Sequence, residues 1–502
     1  MTWLELHDVL RGRGLLATAA SDTVPALDVS GVAYDSRRVE PGHVFVALRG
    51  QRADGTAFAQ QALERGAVAI VSQELPPPGV RAPWTQVTDA RLALAYLAVA
   101  FHHDPSRKMR VVGITGTNGK TTTAYLVASI FEAAGVRCGL LGTVAYRTGT
   151  ETREATRTTP EAPDVQALLA EMVAQECGAC VMEVSSHALA LSRVDGMTFA
   201  AAIFTNLTRD HLDFHADMED YFQAKRRLFE LLPREHPAII NADDPRAPAL
   251  IETAGRVVTY GINRPADVTP SALSYSLEGL AFQAKTPRGP IDIRASLVGR
   301  PNVYNILAAI ATGIALDIPT DAIARGIASL SAVPGRFQVV SSPKDDVTAV
   351  VDYAHTDDAL RNLLETARPL ATGRIITVFG CGGDRDRTKR PLMGAVAGRL
   401  SDVIIITSDN PRSEDPARII EEIQRGITPD TRRGNGQRIV PIVDRHKAIE
   451  EAVETAAPGD LILIAGKGHE KYQVIGAQTL PFDDVEVAQS ALARRRMRQG
   501  VK

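Results

Sequence analysis

Cysteine is scarce in this sequence. Only Cys138, Cys177, Cys180 and Cys381 occur in 502 residues, too few for a disulfide framework and in keeping with a reducing compartment. No apolar run approaches the roughly 18 residues that a membrane helix needs, and the opening MTWLELHDVLRGRG has neither the apolar block nor the cleavage site of a signal peptide. No sign of charge dominates: 56 basic and 59 acidic side chains leave a formal net charge of −3, which excludes the global field of a nucleic-acid or membrane-surface binder. Internal repeats, heptads and low-complexity stretches are missing too. These absences lead us to expect a cytoplasmic protein with no membrane insertion and no nucleic-acid partner, acting on a small molecule. Cys177 and Cys180 have the spacing of a redox pair or half a zinc site. No second pair follows, and Cys180 leads the apolar strand ACVMEV, where a thiol packs as a small apolar group.

The length itself implies several domains, roughly two to four. Residues 1–105 mix short strands (VFVAL, AVAIV) with the helical AFAQQALERG and the turn-rich ELPPPGVRAP, and the polar HHDPSRK reads as a linker. From Val111, the strands VVGIT, CGLLGTVAY, CVMEV, AAAIFTNL and AIINA alternate with helical segments such as TTTAYLVASIFEAAG, with Gly135 placed as its C-cap. That alternation predicts an α/β domain with a parallel sheet covered by helices. A turn cluster at Ser331–Arg336 closes it, with a hinge near Pro334. A third block carries RIITVFG, DVIIITSDN and DLILIAGKG, each with polar residues at its C-terminal end, the edge where open α/β sheets bind ligands. The boundaries expected are 1–105, 106–334 and 335–502. The basic tail ARRRMRQGVK reads as a solvated helix end.

The most informative stretch is VVGITGTNGKTTT, residues 111–123: a strand, a glycine-rich loop, then a helix start. Glycines at 113, 116 and 119 permit backbone angles closed to other residues, so that amide N–H groups can converge on a phosphate, with Lys120 adding charge and Thr121 placed for magnesium. Glu183 ends the strand CVMEV beside Ser185, Ser186 and His187, and suits magnesium coordination, or else belongs to a helix-capping cluster. No G-x-S-x-G elbow supports a serine hydrolase. NLTRDHLDFH gathers Asp210, His211, Asp213 and His215, and Lys225 in YFQAKRRLF reads by itself as an ordinary exposed base. In the third block, CGGDRDRTKRP (with Arg385, Arg387, Lys389 and Arg390), SDNPR (Asp409, Asn410, Arg412) and GKGHE (Gly466, Glu470) offer forks for carboxylates and carboxylates for an ammonium, fitting a zwitterionic amino acid. For any single arginine of that set a structural salt bridge is the stronger reading.

In order along the chain, YDSR, GITGTNGKTTT, RTTP, EVSSHAL, NLTRDHLDFH, AKRRLF, GRPNVYN, GRFQ, DYAHT, GDRDRTKRP, DNPR and GKGHE together resemble the Mur ligase family over essentially the whole length. The resemblance implies a small N-terminal α/β domain for a UDP-linked substrate, a central P-loop ATPase domain and a C-terminal Rossmann-like domain for an amino acid. It implies that ATP and UDP-N-acetylmuramoyl-L-alanyl-D-glutamate combine with meso-2,6-diaminopimelate, through an acyl phosphate, to give a peptidoglycan precursor, ADP and phosphate. The DNPR form is similar to the type that selects diaminopimelate over lysine, for which Arg412 could grip the distal carboxylate.

Residue by residue, the resemblance implies ATP contacts at Gly116, Thr117, Asn118, Gly119, Lys120, Thr121 and Thr122, with Asn302, Arg336 and Asp352 or His355 toward adenine and ribose. It implies magnesium, as a pair of ions, on Thr121, Glu183, His211 and Lys225, catalytic roles for Lys120, Lys225 and His211, and a carbamylated Lys225. For Lys225 this reverses the reading made from local sequence. It implies UDP-substrate contacts at Tyr34, Ser36, Gln51, Arg52, Ala53, Thr158, Thr159, Ser185 and Arg193, and a diaminopimelate pocket of Arg390, Asp409, Asn410, Pro411, Arg412, Gly466 and Glu470. A monomer is expected. Arg157, Asp357 and Thr56 depart from the commoner family pattern; the first weakens any transfer at Arg157.

Overall fold

In the computed structural model, which describes residues 1–17, 24–50, 54–433 and 436–500, the chain forms three α/β domains. The first is built on four parallel strands neighbouring one another in chain order, Gly31–Ala33, His43–Ala47, Ala69–Ser72 and Trp84–Gln86. Helices Trp3–Gly12 and Ala90–Phe101 cover one face, burying Trp3, Leu6, Leu10, Leu94 and Leu97 against Val44, Val46 and Val71. The first helix starts where Thr2 and Glu5 form a reciprocal capping box, which satisfies amides that the helix itself leaves unpaired.

An eight-stranded sheet forms the centre. Strand Arg110–Thr115 lies between Ala179–Glu183 and Ala201–Phe204, parallel to both, so the chain departs from it to opposite sides and leaves a crevice at its C-terminal end. Helices Lys120–Ala133, Arg300–Ala315 and Thr320–Ser329 pack on one face, Ala162–Ala174 and Met218–Glu230 on the other. Two expectations are corrected here. CGLLGTVAY is not one strand. It breaks after Leu141 and returns antiparallel as Ala145–Thr148, because the turn at Gly142 lies against Glu183, where a Cβ would meet Oε1 at 2.4 Å. An antiparallel sheet of Thr269–Ser276, Gly279–Lys285 and Ile291–Ala295 also joins the domain. Its strands bury alternate residues, as in IDIRA, or none, as in TPSALSYS, and so show no continuous apolar run.

HHDPSRK is no free linker either: Pro105 and Ser106 are buried, and Ser106 Oγ accepts from Thr198 N–H at 2.9 Å. The third domain has strand order Gln338–Val339, Thr348–Asp352, Leu461–Ala465, Ile375–Phe379, Val403–Ile406 and Arg438–Pro441, parallel after the first. Its DYAHT, CGGDRDRTKRP, SDNPR and GKGHE segments all leave the same C-terminal edge of that sheet.

The basic tail is not simply solvated. Arg495 forks onto Asp346 (2.7 and 2.8 Å), Arg496 meets Asp345 at 2.5 Å, and Arg494 and Arg498 pair with Glu450 and Glu454. The last helix is thereby fastened to the loop before Thr348–Asp352. Hydrogen bonds from Arg495 hold the Asp346 carboxyl down at about 2, against an ordinary 3.8. A depressed folded-state value gives stability that is complete above the ordinary value and lost as pH falls through the folded one. The melting-temperature gap between the wild type and Arg495→Met is therefore expected to be full at pH 5 and to narrow as pH falls below about 4. Thermal unfolding across that range measures it, and a gap independent of pH would show that the ion pair contributes nothing.

Candidate active site

At the end of Arg110–Thr115 the chain turns through Gly116 (φ 146°) and Gly119 (φ 87°) into helix Lys120–Ala133. Both positions require glycine. A Cβ at Gly116 would fall 1.9 Å from Thr205 Oγ1, and one at Gly119 would fall 2.3 Å from Asn305 Oδ1. Gly113, expected to serve the loop, sits instead within the strand, where its missing side chain admits Phe199. The loop is tied down by its neighbours: Thr117 N–H donates to Asn206 O (2.8 Å), Asn118 N–H to Asn206 Oδ1 (2.9 Å), and Thr205 Oγ1 to Asn118 O (2.6 Å). Its amides and the helix N-terminus form an anion cradle. Lys120 folds over it, with Nζ donating to Gly116 O (2.9 Å) and Thr117 O (2.8 Å). Burial pushes the Lys120 ammonium pKa down, against the pull of Glu183 and Asp210.

Glu183 is buried beside the cradle. Its Oε1 accepts from Thr143 N–H (2.8 Å), and its Oε2 from the Thr121 and Thr143 hydroxyls (each 3.1 Å). Thr122 is buried in the same first helical turn. His211, at a positive φ of 55°, lies against Asp210, and its ring is 4.8 Å from that of His187. Burial pushes both imidazoles down to about 4, so both stay neutral near pH 7. Asp213 is exposed, and its carboxylate acts on the cluster only through its charge near His187. Ser186 Oγ, His215 and Asp220 line up at 2.9 and 3.2 Å, but Ser186 is only 1 % exposed and no nucleophile elbow presents it, so the trio serves to hold helix Met218–Glu230.

Lys225 corrects the local reading most sharply. It is 1 % exposed, donates to Gly116 O at 2.9 Å, sits 4.2 Å over the Tyr221 ring, and has no carboxylate ion pair among the described residues. Burial and the nearby Lys120 drive its pKa well below the ordinary lysine value. The signal was present in the sequence: the buried face of its helix is Tyr221, Phe222, Lys225, Leu228 and Phe229, a helical stripe that places Lys225 inward.

Toward the third domain, Asn302 Nδ2 donates to Val298 O (2.8 Å), and its Oδ1 accepts from Asn305 (2.9 Å), which in turn contacts Thr123. Asn305 was not singled out from the sequence, although GRPNVYN contains it. Arg336 donates to Thr121 Oγ1 (3.2 Å) and lies 4.6 Å over Tyr353. Asp352 accepts from the Phe337 and Ala354 amides (2.7 and 2.8 Å), so it holds the backbone around the joint. His355 Nδ1 faces Tyr353 O.

On the other side, Thr158 Oγ1 is 3.0 Å from Thr143 Oγ1, Thr159 Oγ1 donates to Glu183 O (2.8 Å), and Ser185 N–H donates to Thr159 Oγ1 (3.1 Å). Arg193 donates to Thr159 O and pairs with Glu161 (2.7 Å), a carboxylate shared with Arg157. Tyr34 reaches across from the first domain to Asp164 (2.7 Å), and Ser36 bonds Gln61. Gln51, Arg52 and Ala53 lie outside the described residues.

In the third domain, Asn410 Nδ2 donates to Glu470 (3.0 Å), and Arg412, at φ 50° after Pro411, donates to Gly383 O (2.7 Å). Gly466 (φ 118°) leaves room for Asp409, whose buried Oδ1 accepts no hydrogen bond. Fully buried Lys467, not singled out from the sequence, donates to Asn410 Oδ1 (3.0 Å) and lies 3.4 Å from both Asp409 and Glu470. Arg390, expected to grip an amino acid, is 0 % exposed and already bound by Glu414 (2.9 and 3.0 Å), Glu422 (2.8 Å) and Gly382 O. In this structure the salt-bridge alternative holds for Arg390.

Among the described residues no three His, Cys, Asp or Glu side chains converge as a metal cage. The carboxylate of Glu183 with the hydroxyls of Thr121 and Thr143 is nevertheless an oxygen set that suits magnesium, which keeps several waters and takes further ligands from phosphates. Among the described residues no helix is long and apolar enough to cross a membrane.

Family models described as Mur ligase family, catalytic domain; Mur ligase middle domain; and Mur ligase, glutamate ligase domain match residues 28–102, 114–313 and 335–468. The chain is 48 % identical over 468 residues to a protein of Solibacter usitatus named UDP-N-acetylmuramoyl-L-alanyl-D-glutamate--2,6-diaminopimelate ligase, covering 93 % of this chain and 94 % of that one. A protein of Gloeobacter violaceus with the same name is 46 % identical, covering 99 % and 100 %. A solved structure of a ligase of that name superposes with a TM-score of 0.69 at 34 % identity, covering 99 % of each chain. MurF from Acinetobacter baumannii (TM-score 0.65, 18 % identity, 99 % and 98 % covered) is similar in fold.

The cradle makes a direct prediction. In Gly119→Ala, left-handed backbone costs about 1–2 kcal/mol before the clash with Asn305 is counted, so nucleotide affinity should fall about tenfold or more. Calorimetric titration with ADP measures it; unchanged affinity would mean that the loop does not hold phosphate as drawn.

Proposed function

The chain belongs to the Mur ligase family, and from that membership and the geometry above we propose how it works. It is an ATP-dependent ligase of peptidoglycan precursor synthesis that joins meso-2,6-diaminopimelate to the D-glutamyl γ-carboxylate of UDP-N-acetylmuramoyl-L-alanyl-D-glutamate. The carrying observation is Arg336. Bonded to Thr121 in the phosphate cradle and stacked on Tyr353 in the third domain, it brings the ligand-binding edges of both sheets to one crevice.

A carboxylate resists an amine because it is anionic and has no good leaving group. The loop amides of Gly116–Gly119, Lys120 and the hydroxyls of Thr121 and Thr122 take the phosphates, with Asn302, Arg336 and the segment around Asp352 on the nucleoside side. Tyr34, Ser36, Thr158, Thr159, Ser185 and Arg193, together with Gln51, Arg52 and Ala53, hold the UDP-dipeptide so that its γ-carboxylate meets the γ-phosphate in line. An acyl phosphate forms and ADP departs. Asp409, Asn410, Arg412, Gly466 and Glu470 present the diaminopimelate amine, which attacks the acyl carbon. The amine's proton is lost, the C–O bond breaks, and inorganic phosphate leaves. Thr121, Glu183, His211 and Lys225 would hold magnesium, which when bound neutralises charge on the phosphate oxygens. Boundaries near residues 105 and 334, a monomer and a cytoplasmic site belong to the same reading, the last because the reaction consumes ATP.

If the carboxylate is phosphorylated, ¹⁸O placed in the dipeptide γ-carboxylate must appear in the released phosphate. Mass spectrometry of that phosphate decides the matter, and unlabelled phosphate would sink the mechanism. Lys225 is proposed to carry a carbamate: its ammonium first gives up a proton, the neutral amine adds to CO₂ and loses a second proton, and a cation becomes an anion beside the metal set. Support comes from its burial without a carboxylate partner, since only a neutral amine adds CO₂. A ¹³C carbamate resonance is expected with labelled bicarbonate and should vanish in Lys225→Arg; its absence from the wild type would overturn the modification.

A further inference from the structure

Arg445 and Asp484 form a completely buried ion pair, each side chain 0 % exposed. Each is the first residue of its helix, Arg445–Thr455 and Asp484–Arg498. The fork is bidentate: Nε donates to Oδ1 and Nη2 to Oδ2, both at 2.7 Å. Two further donors go elsewhere, Nη1 to Ser408 O (3.3 Å) and Nη2 to Ala465 O (3.1 Å). Ser408 immediately precedes Asp409, and Ala465 immediately precedes Gly466.

The strands that lead into these two loops, Val403–Ile406 and Leu461–Ala465, are not neighbours, because Ile375–Phe379 runs between them. No ladder hydrogen bond joins these two strands, and the loops start about 10 Å apart at two strand intervals, meeting only further out through Asn410 with Glu470 and Lys467 and through the bridge of Arg412 with Ile475. The planar guanidinium spans that gap from beneath. Its effect is felt just above, where the Asp409 carboxylate sits so close to Gly466 that a Cβ there would lie 3.3 Å from Oδ2. Asp409 Oδ1, buried and 3.4 Å from Lys467 Nζ, accepts no hydrogen bond and is left to receive a donor.

A fully buried ion pair is a weak source of net stability, since desolvation offsets most of the attraction, so its main consequence here is geometric. We propose that Arg445, held by Asp484, is a positioning residue that sets the separation of the Asp409–Arg412 and Gly466–Glu470 loops, and through it the affinity for the diamino acid. The proposal rests on those loops being the amino-acid pocket.

The test is steady-state kinetics on the full chain for three variants. Arg445→Met/Asp484→Leu replaces the pair by apolar groups of similar size. Arg445→Lys keeps a charge for Asp484 but has no fork to reach both carbonyls. Arg412→Ala probes the pocket itself. Expected for both Arg445 variants is a KM for meso-diaminopimelate raised about tenfold or more, the scale on which residues behind a ligand-contacting shell act in metal sites, with KM for ATP and the UDP-dipeptide unchanged. If the double variant does not fold, Arg445→Lys decides alone. An unchanged diaminopimelate KM, or an equal rise in all three constants, would overturn the positioning role when Arg412→Ala does raise that KM. If Arg412→Ala leaves it unmoved, the pocket assignment falls, and the positioning claim with it.

Discussion

Two lysine amines share one carbonyl oxygen. Lys120 and Lys225 each reach Gly116 O at 2.9 Å, and each is pushed toward the neutral form by its surroundings. Placing two cations together away from water is costly unless something anionic joins them. Glu183 is near, but its oxygens are engaged by threonine hydroxyls and an amide. The phosphate loop thus holds two amines that carry charge only at a cost until an anion joins them, phosphate or the carbamate proposed on Lys225, and the surrounding structure holds that arrangement still. The glycines at 116 and 119 let the backbone close around it, while Thr205, Asn206 and Asn305 keep it closed.

The second requirement is that two separate sheets aim their C-terminal edges at the same volume. In the central sheet the chain leaves the strand at Thr115 toward both sides; in the third domain the strand ends carrying DYAHT, SDNPR and GKGHE open toward it. Gly335 lets the chain enter the third domain pressed against the GKGHE loop, since a Cβ there would lie 2.2 Å from the amide nitrogen of His469. Around that joint, Arg336 and Asp352 spend their polar atoms on neighbouring backbone and hydroxyls.

What could be read from the residues follows from how narrowly each position is constrained. A glycine loop before Lys-Thr, a carboxylate ending an apolar strand, and polar clusters at successive strand ends each have few structural uses, so the α/β architecture and the crevice were legible. Lys225 was not, because AKRRLF offers three adjacent cations and only the stripe from Tyr221 to Phe229 distinguishes the inward one. Arg390 is the converse case: nothing local shows that Glu414 and Glu422 come round to meet it. The antiparallel strands from Thr269 to Ala295 escaped because their apolar residues alternate with polar ones. Lys467 and Arg445 matter through neighbours more than 30 positions away, which no local pattern encodes.

The clamp between Asp345–Asp346 and Arg495–Arg496 joins the beginning of the third domain to its end. The edge strand Gln338–Val339, with only two residues in register against Val350 and Val351, would be the first element to peel away under load. With the final helix riveted across it, force transmitted through the interdomain tether pulls on the whole lobe, so the lobe can swing as a rigid lever while its own rim stays intact.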